Sequence, residues 1–258
     1  QAIMDRDQGG QSALSGPGNL YSKALAVDLD PARAEPVKAA PVKLLLDQAV
    51  AQPRAVDQDH VKFVDMPSKL LSDFHKKPMR LRAGVVLPAS FARDVERRYP
   101  VVYEIPGFGG NHLMAHAVAA RKAADVAGED MLWVVLDPAC RLGHHVFADS
   151  ANNGPCGQAL IEELIPYLEK MFRAAGTPAG RFLTGHSSGG WSSLWLQVTY
   201  PDFFGGVWST APDSVDFRDF QLVNLYQDGV SLFTDDQGAL RPLGRKAGKP
   251  ILWTKPFS

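Results

Sequence analysis

Arg181-Phe182-Leu183-Thr184-Gly185-His186-Ser187-Ser188-Gly189-Gly190-Trp191 is the stretch that decides how this chain folds. An apolar run enters Gly-x-Ser-x-Gly and leaves into a helix-compatible segment, a pattern that predicts strand, sharp turn and helix. Glycines at 185 and 189 let the backbone turn tightly where a Cβ would clash. Such a turn exposes the residue between them, so Ser187 is the candidate catalytic nucleophile. The competing reading is a Gly/Ser-rich loop between strand and helix that carries no chemistry.

Outward from that stretch the periodicity alternates. Residues 182–184 read as a strand and 188–199 as its helix, followed by short strands at 206–210 and 251–254. Upstream, 81–87, 100–105 (PVVYEI) and 131–136 (MLWVVL) read as strands, the last two as buried ones. The Ala-rich segment 113–127 reads as a helix. Residues 158–175 place Leu160, Ile161, Leu164, Ile165, Leu168, Met171 and Phe172 on one helical face, with a kink expected at Pro166 and a stop at Gly176. Strands alternating with helices predict an α/β fold with a mostly parallel sheet and helices on both faces. The expected organisation is a flexible leader at 1–20 and a β extension or remnant of an upstream domain at 21–60. Within that extension, 21–28 and 41–47 have strand-like alternation, and the α/β domain follows at 61–258.

Size and composition set limits. With 258 residues, 45% of them hydrophobic, the chain is long enough to bury a full core. A formal net charge of −1 leaves no electrostatic footprint for nucleic acid or an anionic membrane surface. Its apolar runs fall short of the roughly 18–20 residues needed to span a bilayer. The first residues lack the basic-then-apolar pattern of a signal peptide and read as a trimmed end. Cys140 and Cys156 are the only cysteines, either two unpaired small hydrophobes or a disulfide pinning the loop between them. His144, His145 and Asp149 match no strong metal template, and a polar substrate-loop role suits them better; no metal or cofactor is expected.

Acyl transfer needs backbone donors aimed at a developing oxyanion. The amide of Ser188, next to the candidate nucleophile, is one expected donor. PVVYEI runs into Pro106-Gly107-Phe108-Gly109-Gly110-Asn111, a glycine-rich loop in the right place for the second, and the Phe108 amide is our choice. A phosphate cradle is the poorer reading, since neither Gly-Lys-Ser/Thr nor a complete Gly-x-Gly-x-x-Gly follows.

YEIPGFGGN, the DPAC…FADSANNGP…ELIPYLEKMF stretch and FLTGHSSGGWSSLWLQVTYPDFFGGVWSTAPD together resemble the esterase D-type branch of the α/β-hydrolases, which includes feruloyl, acetyl-xylan and enterochelin esterases. The match runs over about residues 81–216 and holds in order and spacing. It implies Ser187 as nucleophile and the Phe108 and Ser188 amides as oxyanion donors, acting on small-molecule or carbohydrate esters. It also implies an exported, secreted or periplasmic, setting. Many members have His-Gly where this chain has Pro106-Gly107, a change a backbone donor tolerates.

In that fold the chain order is nucleophile, acid, then histidine. Here His60, His75, His112, His116, His144, His145 and His186 all precede Ser187. Three readings stay open. The chain is a piece of a longer esterase, lacking its last strand–helix units and carrying acid and base beyond Ser258. Alternatively, His112 or the His144–His145 pair supplies a substitute base. Or the protein is a non-catalytic relative that binds ester or glycan ligands. Asp213 is the downstream carboxylate best placed for a local role, although a solvated loop aspartate is the commoner case. His112 and Asp213 join Trp191, just beyond the turn, as candidates to line the substrate pocket; Trp191, Trp195, Trp208 and Trp253 also suit a core.

Overall fold

Six strands form the main sheet: β1 (Val61–Ser68), β2 (Met79–Val86), β3 (Val101–Ile105), β4 (Leu132–Leu136), β5 (Arg181–Ser187) and β6 (Gly206–Pro212), in the spatial order β6-β5-β3-β4-β2-β1. The computed structural model describes residues 2–4, 18–26, 43–51, 54–121, 125–126, 128–140, 143–220 and 223–253. It divides into two compact units, Gln1–Ala211 and Pro212–Ser258.

The apolar runs of β3 and β4 lie at the centre of the sheet, where nearly every residue is buried, as expected of strands covered on both faces. The two pair in parallel, and β5 joins β3 in parallel from Arg181↔Val101 to Gly185↔Ile105. On the other side β2 runs antiparallel to β4, and β1 antiparallel to β2. The sheet is therefore mixed, not mostly parallel. The cause is local: the seven-residue α1 (Lys69–His75) links β1 to β2 too briefly for a parallel crossover, so the chain returns as a hairpin-like pair.

Period-two alternation sends neighbouring residues to opposite faces. Val85 and Val134 join a large cluster with Tyr103, Ile105, Leu183 and residues of α1, α3 (Cys156–Ala159), α4 (Ile165–Met171) and α5 (Ser188–Thr199). Val86 and Val135 face the other way, packing with Val61 against Ala115 and Val118 of α2 (Ala115–Ala120). Each such fully buried aliphatic side chain contributes roughly 1.5–3 kcal/mol.

Several elements differ from expectation. The Ala-rich helix is short: a 3₁₀ turn at His112–Met114 leads into α2, and Asp125–Val126 then pairs with Glu129–Asp130, with Gly128 at φ +81 in the turn between them. Residues 122–124 and 127 lie outside the described residues. The long helix starts at Cys156 and contains a π segment, Leu160–Leu164, that ends two residues before Pro166. Pro166 has no N–H to give to the preceding turn, and the widened turn absorbs that loss. The helix then ends at Met171. The first left-handed residue that follows is Arg173, φ 52, with Gly176, φ 68, three residues further on. Arg173 is held there because its guanidinium donates to the carbonyls of Phe91 (2.5 Å) and Asp94 (2.7 Å) and lies 3.9 Å over the Phe91 ring.

The segments at 21–28 and 41–47 do not form long strands where described. Only Leu20–Tyr21 and Gln48–Ala49 pair, with Ile3–Met4, in a small antiparallel sheet, while Leu25 and Leu45 stay exposed. Alternation without a face to bury gives extended chain and little else. In the second unit, β7 (Pro242–Lys246) and β8 (Lys249–Trp253) form their own two-stranded antiparallel sheet, so residues 251–253 do not extend the main one; Thr254 is outside the described residues.

Candidate active site

The turn at Ser187 has the geometry its sequence predicts. β5 ends there, α5 begins at Ser188, and Ser187 sits at φ 57, ψ −127, a conformation costly for a residue with a side chain. The surrounding glycines explain how the turn fits. A Cβ on Gly185 would overlap the backbone of Gly189, and one on Gly189 would overlap the carbonyl oxygen of Ile105. The start of α5 thus rests directly on the end of β3. Ser192 Oγ donates to the Ser188 carbonyl (2.7 Å), while Ser193 and Ser209 both donate to the Gly190 carbonyl (2.8 Å each), which fixes the first turn of the helix. Ser187 is half-buried, Ser188 buried and His186 exposed.

The loop after β3 arrives beside this corner. A Cβ on Gly107 would stand 3.1 Å from the His186 carbonyl oxygen and 3.4 Å from Ser187 Cβ. The loop is a tight turn in which Gly110 N–H donates to the Gly107 carbonyl (2.9 Å) and Gly109 has φ +81. Asn111 Oδ1 accepts from Leu113 N–H (2.9 Å) and starts the 3₁₀ turn beyond. The Phe108 ring is mostly exposed yet lies on Gly143, where a Cβ would come within 2.6 Å of its Cζ.

His112, His144 and His145 each have at least one ring nitrogen engaged. His112 Nδ1 stands 2.8 Å from Asp137 Oδ2, both side chains almost buried, and its ring meets Phe63 of β1 edge-on at 5.9 Å. Ser187 ends β5, and β3, β4 and β2 separate that strand from β1. Burial raises the Asp137 carboxyl, but the bond to His112, the nearby imidazole and the Ala139 amide outweigh it and hold the group below its ordinary value. His144 Nδ1 accepts from Val146 N–H (3.0 Å), and its Nε2 lies 2.9 Å from the Pro106 carbonyl oxygen. His145 Nδ1 accepts from Phe147 N–H (3.1 Å), and burial pushes the ring down to about 4. Val146 and Phe147 both take positive φ, 50 and 52, so the two imidazoles brace a strained left-handed turn.

Other expectations resolve individually. Trp191 is half-buried and stacks on Trp195, centroids 5.6 Å apart and planes 8° from parallel. Asp213 is exposed and belongs to the second unit. Asp149 braces the start of α3 from the preceding loop: its Oδ1 accepts from Gly157 N–H (2.7 Å) and Gln158 N–H (3.2 Å). No group of three metal-ligating side chains occurs among the described residues. Cys140 and Cys156 form no disulfide, and burial pushes Cys156 up to about 12. No helix among the described residues is long and apolar enough to cross a membrane. Sequence reasoning missed Asp137; its signal was a carboxylate one residue past the buried run MLWVVL, at the strand end where such folds gather polar groups.

The model of the Esterase family, described as "Putative esterase", matches residues 76–219. A solved ferulic acid esterase aligns with a TM-score of 0.50 and 23% identity over 59% of this chain and 59% of its own. The fluorophosphonate-binding serine hydrolase F of Staphylococcus aureus aligns at 0.49 and 15%, covering 62% and 59% of the two chains. An S-formylglutathione hydrolase from Agrobacterium tumefaciens aligns at 0.48 and 19%, covering 62% and 60%. The chain therefore spans about 60% of the length of these solved structures. No curated protein matches it.

Proposed function

The chain belongs to the Esterase family, and from that membership we propose that it is a serine carboxylic-ester hydrolase working through an acyl-enzyme on Ser187. The observation that carries this reading is the Ser187 backbone, φ 57 and ψ −127, at a strand-to-helix junction with the Gly107 loop against it. A corner that costs on the order of 1–3 kcal/mol persists when the surroundings over-determine it, and such strain gathers at active sites.

In this reading Ser187 Oγ adds to the ester carbonyl carbon, its proton passes to a base, and the carbonyl oxygen becomes an oxyanion. The amides of Ser188 and Phe108 receive that charge, helped by the positive end of the twelve-residue α5. The tetrahedral species collapses with loss of the alcohol, and water then releases the acid from the acyl-serine. Removing one such donor costs about 3–4 kcal/mol in comparable sites. His144 has both ring nitrogens engaged, by Val146 N–H and the Pro106 carbonyl, whereas Asp137 holds Nδ1 of His112 and Phe147 N–H holds Nδ1 of His145.

The substrate class we propose is acetyl or feruloyl esters of carbohydrates, with the Trp191–Trp195 stack as the aromatic surface beside the corner. The engagement of both ring nitrogens of His144 favours a second reading, a non-catalytic relative that binds ester or glycan ligands. A fluorophosphonate probe separates the two. Slow labelling confined to Ser187 and lost in Ser187→Ala supports the hydrolase; saturable ester binding with no labelling supports the binding protein.

A further inference from the structure

The Pro106–Gly107 peptide is held from a neighbouring loop by an imidazole. His144 Nδ1 accepts the Val146 amide, so its proton resides on Nε2, which donates to the Pro106 carbonyl at 2.9 Å. The next carbonyl, that of Gly107, accepts from Gly110 N–H at 2.9 Å. In a planar trans peptide the N–H points opposite to the C=O. Engaging both carbonyls therefore sets the direction of both following amides, Gly107 N–H and Phe108 N–H. The Gly107 carbonyl is turned into the loop, which leaves the Phe108 amide directed out of it. A contact one residue earlier reinforces the hold: the Phe108 ring lies on Gly143, whose φ of +102 and lack of a Cβ leave room for it. The same Pro106 carbonyl abuts α5, since a Cβ on Gly189 would stand 2.8 Å from it.

We infer that His144 is a positioning residue for the oxyanion loop, its Nε2–H holding the Pro106 carbonyl so that the Phe108 amide faces the charge developing on a Ser187-bound ester. The role rests on the serine-hydrolase reading above. It places no part of His144 on the substrate. It also accounts for the strain at Val146, which at φ 50 presents the amide that fixes the ring's tautomer. Proline occupies the position before Gly107, and the ring that orients the loop comes from the Gly143–His144 strand.

The test is the kinetics of fluorophosphonate labelling of the full 258-residue chain, separating the maximal rate from the half-saturating probe concentration. In His144→Gln the side-chain amide replaces the Nε2–H donor; in His144→Phe it is lost. The expected result is a maximal rate at least ten-fold lower in His144→Phe, with half-saturation and circular dichroism unchanged, and a rate within three-fold of wild type in His144→Gln. Equal rates in wild type and His144→Phe overturn the positioning role while leaving the hydrolase intact. Should His144→Phe not fold, His144→Gln decides, and a fall below a tenth of the wild-type rate overturns the role. A folded wild type that never labels overturns the hydrolase reading, and this role with it. Nitrogen NMR gives an independent readout, since an Nδ1–H tautomer at His144 is incompatible with the proposal.

Discussion

The carbonyl oxygen of Ile105 occupies the space a side chain on Gly189 would need, so the strand before the Gly107 loop and the helix after Ser187 touch backbone to backbone. No rotamer change relieves a clash with a carbonyl. Gly189→Ala is expected to cost about 3 kcal/mol or more, because α5 or β3 must move. The check is the urea midpoint together with fluorophosphonate labelling. A variant that keeps wild-type stability and labelling refutes this packing.

Strain at Ser187 gives the opposite sign. Glycine reaches positive φ without a steric penalty, so Ser187→Gly is expected to abolish labelling while raising stability by about 1 kcal/mol. Differential scanning calorimetry on the pair reads this directly. A lowered melting temperature in Ser187→Gly rules out strain stored at the corner.

His145 makes stability depend on mild acid. The folded ring titrates at about 4 and the unfolded one near 6.5, so between those values the unfolded chain binds the proton and the folded chain does not. Stability is full above pH 6.5 and falls as pH drops toward 4, by about 3 kcal/mol across the window at roughly 1.4 kcal/mol per unit. In His145→Asn the amide oxygen can still accept from Phe147 N–H, and the pH slope should flatten. Urea titrations at half-unit intervals measure it; an unchanged slope assigns the dependence to another group.

Asp137 acts in a lower range. Its folded carboxyl lies below the ordinary 3.8, so the stability it contributes is present above that value and is lost as pH falls through the folded one. Asp137→Asn should destabilise the protein by about 1–3 kcal/mol at neutral pH, the scale of a buried charge-assisted bond. The gap from wild type should persist to about pH 4 and close below it. A variant as stable as wild type at pH 7 excludes the contribution of the His112 pair.

Much of the candidate site is legible in the local sequence. Glycines at 185 and 189 flank a serine after an apolar run, and the turn they predict is the turn observed. The PVVYEI and MLWVVL runs likewise announce two central strands, since continuous apolar sequence tolerates burial on both faces. Boundaries set by single contacts are less visible. Arg173 ends its helix in a left-handed conformation because Phe91 and Asp94, some eighty residues earlier in the chain, present two carbonyls and a ring to it, whereas propensity points to Gly176.

What the sequence determined by itself is the backbone corner at Ser187, the glycine loop after β3 and the α/β character, because each depends on steric limits and periodicities acting within a few residues. Tertiary structure alone decided the direction of β1 and β2 in the sheet, the pairing of His112 with Asp137 and the reach of His144 to Pro106. Those depend on which chain segments come to lie side by side, and a hydrogen bond spanning some forty residues leaves no periodic trace in the sequence between its ends.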